Sequence, residues 1–215
     1  SIPVSITNDA NAAALGEMAY GVAKGMKNFI MITLGTGVGS GIVINGQMVY
    51  GSDGLAGELG HVTMVRENGR LCGCGKRGCL EAYCSATGVA RTARELLENS
   101  DEPSLLRQLN PDDITSLEVS KAAAKGDALA CRVYEFTGKM LGEACADFTT
   151  FCSPEAFVFF GGLTKAGDLL MKPLLKSYDE NVMAVFRGKA KFLVSSLDGA
   201  GAAVLGASAI AKKCE

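Results

Sequence analysis

His61, the only histidine of the chain, is followed within a short stretch by Cys72, Cys74 and Cys79, in the pattern His61-x10-Cys72-x-Cys74-x4-Cys79. Any fold this sequence adopts has to account for that group. One imidazole and three thiolates form a tetrahedral set suited to Zn²⁺, and four protein ligands leave no open position, which marks a structural rather than a catalytic metal. Gly73, Gly75 and Gly78 stand between and beside the thiols and let the backbone turn tightly enough to converge them. Lys76 and Arg77 can offset the charge of three thiolates, or can simply be a solvated turn. The competing reading is a loop disulfide beside an unrelated histidine, although a Cys72–Cys74 bridge would be a strained two-residue step.

The chain holds 8 cysteines, which if all paired would allow about 105 connectivities. Those outside the cluster are scattered in apolar contexts, as reduced buried cysteines are. A reducing, cytoplasmic setting is therefore expected. Lys and Arg number 21 against 23 Asp and Glu, a net charge of −2, so no basic footprint for nucleic acid is present. No apolar run approaches the roughly 20 residues of a membrane helix. At 215 residues, 48% of them apolar, the chain has material for one large domain or two small ones and excludes disorder.

Strand-like and helix-like patterns alternate along the sequence. Ile2 to Ile6 reads as a short strand, and Leu15, Met18 and Val22 place a helix from about Asp9 to Ala23. Phe29 to Leu34 is an apolar strand running into Gly35-Thr-Gly-Val-Gly-Ser-Gly41. Ile42 to Ile44 and Met48 to Tyr50 flank Asn45-Gly46, a two-residue hairpin signal. Gly51 to Gly78 is rich in loops, with His61 to Val65 its one expected strand. Val89, Ala93, Leu96 and Leu97 mark a helix face, and Asn99 to Pro111 is a polar loop rather than a domain linker. Leu129 to Phe148 marks a longer helix and Ala156 to Phe160 a buried strand. Helical periodicity then resumes, followed by a strand at Phe192 to Ser195 and a helix from Gly201 to Lys212. Alternation of this kind predicts an α/β layered domain, without internal repeats.

The glycine loop at Gly35 to Gly41 lies between two strands. A Walker A loop needs Gly-Lys-Ser/Thr opening a helix, and the dinucleotide fingerprint needs a strand followed by a helix, so both are excluded. Consecutive backbone N–H groups in such a turn can still cradle an anion, with Thr36 and Ser40 adding hydroxyls; a tight turn without a ligand fits equally well. Gly161-Gly162, between a buried strand and a helix, is open to the same two readings. Asn8-Asp9 sits where a strand hands over to a helix, the ordinary place for an N-cap and a favourable one for negative charge. Positioning of the nucleophile matters most in phosphoryl transfer, so Asp9 is also a candidate base. Glu58 in Gly57-Glu-Leu-Gly-His61 and Glu81, two residues after Cys79, are tethered to the expected metal ligands, or are ordinary surface acids.

At Cys72-Gly-Cys-Gly-Lys-Arg-Gly-Cys-Leu-Glu81, preceded by Glu58-Leu-Gly-His61, the sequence closely resembles the ROK family of sugar kinases and sugar-responsive repressors. Asn8-Asp-Ala-Asn-Ala-Ala-Ala-Leu-Gly-Glu17 and Leu34-Gly-Thr-Gly-Val-Gly-Ser-Gly-Ile42 resemble two further stretches of that family, in the expected order. The resemblance implies an actin-like, ribonuclease-H-related α/β fold with two lobes around a sugar and ATP cleft. It implies Asp9 as catalytic base, and Asn8, Glu58, His61 and Glu81, with Asp9, as sugar-binding residues. It implies Gly35, Thr36, Gly37 and Gly39 as the loop facing the ATP phosphates and Gly161 and Gly162 on the adenosine side. His61, Cys72, Cys74 and Cys79 would hold a structural Zn²⁺ that keeps Glu58 and Glu81 in register.

Family kinases also carry an N-terminal lobe with an Asp-x-Gly-x-Thr loop and an acid that helps to hold Mg²⁺; nothing like it precedes Ser1. Residues 1–215 therefore resemble the C-terminal lobe, which is expected to be inactive alone. The expectation is ATP-dependent phosphorylation of a hexose, glucose first, by a cytoplasmic homodimer that uses neither membrane nor nucleic acid. Fructose, allose and N-acetylmannosamine remain open as substrates. A sugar-responsive repressor of the same family, with a DNA-binding domain upstream, is the alternative of a different class; a purely structural zinc module leaves Asn8-Asp9 unexplained.

Overall fold

A computed structural model describes residues 6–197 and 199–211. The strand expected at Ile2 to Ile6 lies outside these residues except for Ile6. Five strands form one sheet in the order β3-β2-β1-β4-β5: β1 is Phe29–Leu34, β2 Val38–Ile44, β3 Gln47–Met48, β4 Ala156–Phe160 and β5 Lys191–Val194. The β1–β2 and β2–β3 pairs are antiparallel, and the β1–β4 and β4–β5 pairs are parallel. Asn45 and Gly46, both at positive φ, make the hairpin turn into β3, as Asn-Gly pairs do.

Both faces of the sheet are covered, which is why β1 and β4 read as unbroken apolar runs rather than as alternating ones. Phe29, Met31 and Val158 point to the face beneath α1 (Asp9–Tyr20). Helix α7 (Gly199–Ala211) packs against α1, closely enough that a Cβ on Gly206 would strike the Ala12 carbonyl. Ile30, Ile32, Leu34, Phe157 and Phe159 point to the other face and form the larger core. That core is closed by α2 (Glu81–Cys84), α3 (Ala86–Glu98), α4 (Ser116–Ala124), α5 (Ala128–Cys152) and α6 (Asp168–Asn181). Burial of so many Ile, Leu, Val and Phe side chains, each worth about 1.5–3 kcal/mol, is the main stabilising contribution.

The polar stretch from Asn99 to Pro111 belongs to this same unit. It carries a 3₁₀ turn at Leu105–Gln108 whose Leu106 is buried in the main core. Asp127, the N-cap of α5, ties the stretch down. Its carboxylate accepts from the Ala130 N–H at 2.9 Å, the Leu105 N–H at 2.6 Å and the Ser104 hydroxyl at 2.9 Å.

Two expectations need correction. His61 to Val65 is not a strand: Leu59–His61 is a 3₁₀ turn, and only an isolated bridge joins Thr63 to Cys79. The Met64 and Val65 N–H groups both donate to the Gly78 carbonyl, and two donors on one acceptor interrupt a ladder. Helix α4, absent from the sequence reading, starts at Thr115, whose hydroxyl accepts from the Glu118 N–H. Thr115-Ser-Leu-Glu118 is a capping-box pattern that the alanine-rich, weakly patterned turns after it obscure. Among the described residues no helix is long and apolar enough to cross a membrane.

Candidate functional site

A cleft of about 520 Å³ opens at the C-terminal end of β1. Asp9, Thr33, the Gly35–Gly39 segment, Glu58, His61, Glu81 and Gly161 line it. Five separate stretches of sequence thus converge on one space.

The first wall is the head of α1. The Asn8 side chain accepts from the Asn11 N–H at 2.6 Å and caps the helix, so its amide oxygen is committed to structure and Asn8 is not part of the cleft wall. Asp9, the next residue, is exposed in the first turn, and its carboxylate accepts from the Ala10 N–H at 2.8 Å. Helix α1 reaches the cleft because it lies almost directly on β2. A Cβ on Gly39 would stand 3.1 Å from Ala10 Cβ, and one on Gly41 would stand 2.9 Å from Ala14 Cβ. An alanine-rich helix against a glycine-rich strand lets the two backbones approach. Gly39 and Gly41 thus belong to β2 and serve this packing, and the turn itself is only Gly35-Thr36-Gly37.

That turn is the second wall. Gly35 and Thr36 are exposed, and the Gly35 N–H closes the turn on the Gly37 carbonyl at 3.0 Å. The head of α3 braces it: the Ala86 N–H donates to the Gly35 carbonyl and the Thr87 hydroxyl to the Thr36 carbonyl. Ser40, expected to offer its hydroxyl to an anion, does something else. It is buried, donates to the Gly57 carbonyl and accepts from the Leu59 N–H, which fastens the Glu58 loop to β2. Gly161 lines the cleft at the end of β4, whereas Gly162 starts a 3₁₀ turn and lies outside the lining.

The third and fourth walls carry His61, Glu58 and Glu81, which adjoin the cysteine cluster. His61 Nδ1 is 3.7 Å from Cys72 Sγ, and Nε2, on the other side of the ring, is 3.9 Å from Glu58 Oε2. Cys74 Sγ and Cys79 Sγ are 3.7 Å apart, and the four ligand atoms all lie within 4.8 Å of one another. Ligands about 2.3 Å from a tetrahedral zinc stand about 3.8 Å apart, so this set can hold such an ion. A disulfide, at about 2.05 Å, does not describe it, and the three thiols are free. Gly78 makes the crossing possible, since a Cβ there would meet the Val65 carbonyl at 1.8 Å.

Lys76 Nζ donates to the His61 carbonyl and Arg77 Nη1 to the Gly69 carbonyl, so both cations pin the loop. Burial pushes the Cys72 thiol up to about 12 and raises Cys79 as well. The backbone N–H of Lys76, with help from its charge, holds exposed Cys74 below the usual thiol value. One imidazole and three thiols gathered within 4.8 Å are a donor set that a cation completes, because binding displaces the thiol protons.

Glu81 stands between the cluster and the turn. Its Oε1 is 3.3 Å from Cys72 Sγ, and its Oε2 accepts from the Val38 N–H at 3.0 Å. Behind it, Arg70 is a residue the sequence reading passed over. Its guanidinium donates to the Ala82 carbonyl at 3.1 Å and the Thr92 hydroxyl at 2.9 Å, pairs with Glu95, and lies 4.5 Å from the Tyr83 ring centre. Its own N–H takes the Tyr83 hydroxyl at 2.9 Å. Arg70 thus clamps α2 and α3 onto the cysteine loop, and a lone arginine near a metal motif gives no sequence sign of that. Glu17, buried in α1, accepts from the Val22 N–H at 2.8 Å and from the Ser195 hydroxyl, tying the helix that carries Asp9 to the end of β5.

A sheet of this topology with helices on both faces, and a glycine turn opposite a helix-borne aspartate at its edge, defines a lobe of the actin-like ATPase fold. The chain belongs to the ROK family, whose profile matches residues 1–214. It is 42% identical over 215 residues to a glucokinase of Halalkalibacterium halodurans, covering all of this chain and 65% of that protein. It is 30% identical over 208 residues to the N-acetylglucosamine repressor of Escherichia coli, covering 97% of this chain and 50% of the repressor. Among solved structures it superposes on a ROK family glucokinase from Streptomyces griseus in complex with glucose and AMPPNP, with a TM-score of 0.87 and 36% identity, over 98% of this chain and 69% of that one. A ROK family transcriptional regulator, a homologue of the Escherichia coli MLC protein, gives 0.85 and 30%, over 98% and 52%.

Proposed function

We propose that this chain is the C-terminal lobe of a sugar kinase that transfers the γ-phosphoryl group of ATP to a hexose hydroxyl, with glucose as the first substrate to test. One observation carries the reading: Asp9 at the head of α1 and the Gly35–Gly37 turn face the same cleft, together with Glu58, His61 and Glu81. The S. griseus glucokinase it resembles holds glucose and an ATP analogue.

In this reading Glu58, Glu81 and His61 Nε2 grip sugar hydroxyls, and Asn8 supports them by capping the helix that carries Asp9. Asp9 accepts the proton of the attacking hydroxyl as its oxygen bonds to the γ-phosphorus and the bond to ADP breaks. The transition state is loose, so orienting that oxygen contributes more than strong basicity. The Gly35–Gly37 turn offers backbone donors to the phosphates, Gly39 and Gly161 shape the adjoining wall, and Gly162 lies toward the adenosine side. Mg²⁺ enters with ATP, and no residue here is assigned to it. His61 Nδ1 with Cys72, Cys74 and Cys79 would hold zinc, whose contribution when bound is to cross-link the walls that carry Glu58, His61 and Glu81. With zinc held there Cys72 would carry no proton to donate, and Glu81 Oε1 would be free to accept from a sugar hydroxyl.

The likeness to the N-acetylglucosamine repressor supports a second reading, a sugar-sensing regulator. Asp9 beside an intact Gly35–Gly37 turn favours catalysis, because a sensor needs neither. A cytoplasmic homodimer fits both readings. The test is ADP release by the full-length parent across a panel of hexoses, with zinc measured in the same preparation. Turnover with glucose above the other sugars and about one zinc per chain are expected. A zinc-bearing parent that binds sugar without releasing ADP would overturn the kinase reading in favour of the sensor.

A further inference from the structure

Glu81 does more in this structure than border the cleft. Its Oε2 accepts the Val38 N–H at 3.0 Å, and Val38 is the first residue after the Gly35–Gly37 turn. Gly37 is pressed against the same carboxylate, since a Cβ there would stand 2.5 Å from Glu81 Oε2. The acid on the sugar side and the turn on the phosphate side are therefore one mechanical unit, although Glu81 and Gly37 belong to different segments of the chain.

We infer that Glu81 gates the glycine turn, so that nucleotide binding depends on sugar. The inference rests on the kinase reading above and adds an order of events to it. A carboxylate and a phosphate are both anions, and they compete for the Val38 N–H. While Glu81 holds that donor, an incoming phosphate loses a hydrogen bond and meets a like charge in a partly desolvated cleft. Sugar hydroxyls give Glu81 alternative donors and draw its carboxylate off the turn. Val38 is then released to the phosphate, and each ligand strengthens the other by the same factor, as linkage requires. The device also disfavours ATP capture, and with it transfer to water, before a sugar is seated.

The experiment is calorimetric titration of the full-length parent with AMPPNP, with and without saturating glucose, in wild type, Glu81→Gln and Gly37→Ala. In wild type, glucose should tighten AMPPNP by about tenfold, within the usual range of coupling between sites. Glu81→Gln keeps an acceptor but loses the charge, so AMPPNP affinity without glucose should rise and its dependence on glucose should flatten. Gly37→Ala forces the carboxylate off Val38 and should reduce the ratio of the two affinities, whatever it does to either one. Equal AMPPNP affinity with and without glucose in wild type, both ligands binding, overturns the gate and leaves the kinase reading standing. Failure of the wild-type parent to bind glucose or AMPPNP at all overturns the kinase reading itself. Unchanged sugar dependence in both variants would reduce Glu81–Val38 to a structural contact.

Discussion

Helix α2 separates two hollows, with Glu81 lining the cleft of about 520 Å³ and Tyr83 lining a cavity of about 820 Å³ behind it. The larger hollow carries the cations, and most of them are ion-paired: Arg70 and Arg91 share Glu95, Arg132 pairs with Glu102 and Lys139 with Glu143, while Arg77 donates to the Gly69 carbonyl. Its aromatic residues Tyr83 and Phe136 meet edge to face with centroids 6.1 Å apart. The smaller hollow collects Asp9, Glu58 and Glu81 with no Lys or Arg in its lining. Paired charge holds helices in place. Acids gathered without cations raise the free energy of the fold unless something else uses them, and that contrast, rather than volume, supports the proposal that the cleft is the working site.

The contrast breaks most sharply at Asp9. In the full-length parent, Asp9→Asn should lower kcat by about 10³-fold, within the span expected for loss of a positioned base. Zinc content should change little, because the Asp9 carboxylate makes no contact with the cysteine cluster. Steady-state kinetics of the variant beside wild type is the measurement. Turnover within threefold of wild type would remove Asp9 from the chemistry and make the cleft no more functional than the cavity behind α2.

On the other side of α2, Arg70→Ala should act on stability first. It strips donors from the Ala82 carbonyl and Thr92, and leaves Glu95 with Arg91 alone. Breaking a buried pair costs about 3–5 kcal/mol. Partial exposure of Glu95 brings the expected loss to about 2–4 kcal/mol. Thermal unfolding should show a Tm lower by roughly 5–15 °C. Arg70→Lys should recover only part of this, because an ammonium cannot reproduce the planar fork. A Tm lowered by less than about 2 °C, the shift that under about 1 kcal/mol would give in a chain of this size, would mean that the cavity's charges hold nothing.

The difference between the hollows also explains what could be read before the fold was known. The residues proposed to carry chemistry stand out by type and spacing: His61 with the three thiols, the glycine turn, and the acids beside them are all visible in the sequence, and the fold brings most of them to one cleft. The apolar runs at Phe29–Leu34 and Ala156–Phe160 and the periodicity of α5 were legible because burial on both faces, or on a long stripe, leaves a pattern. Arg70 and Ser40 left none, since their partners are backbone atoms and side chains distant in the chain. Helix α2 has only four residues, too few for a period, and is held by Arg70 and the cysteine loop rather than by its own sequence. The 3₁₀ turn that aims His61 at the thiols replaced an expected strand for the same reason: two N–H groups meet at Gly78, a contact across the loop.

The smallest effect lies in the acid response of the paired hollow. Burial pulls the Glu95 carboxyl upward, but hydrogen bonds from Arg70 and Arg91 outweigh it and hold the group below the usual 4.5. A carboxyl depressed in the folded state stabilises the protein above its unfolded value, and that contribution is lost as pH falls through the folded value. Glu95→Gln cannot lose what it lacks. The stability gap between wild type and the variant should therefore be constant from about pH 7 to pH 5 and shrink below about pH 4.5. Urea unfolding at several pH values reads the gap directly. A gap that stays level down to pH 3 would show that Glu95 is no anchor for the guanidinium groups, leaving Arg70 to be held by the carbonyls and the Tyr83 ring alone.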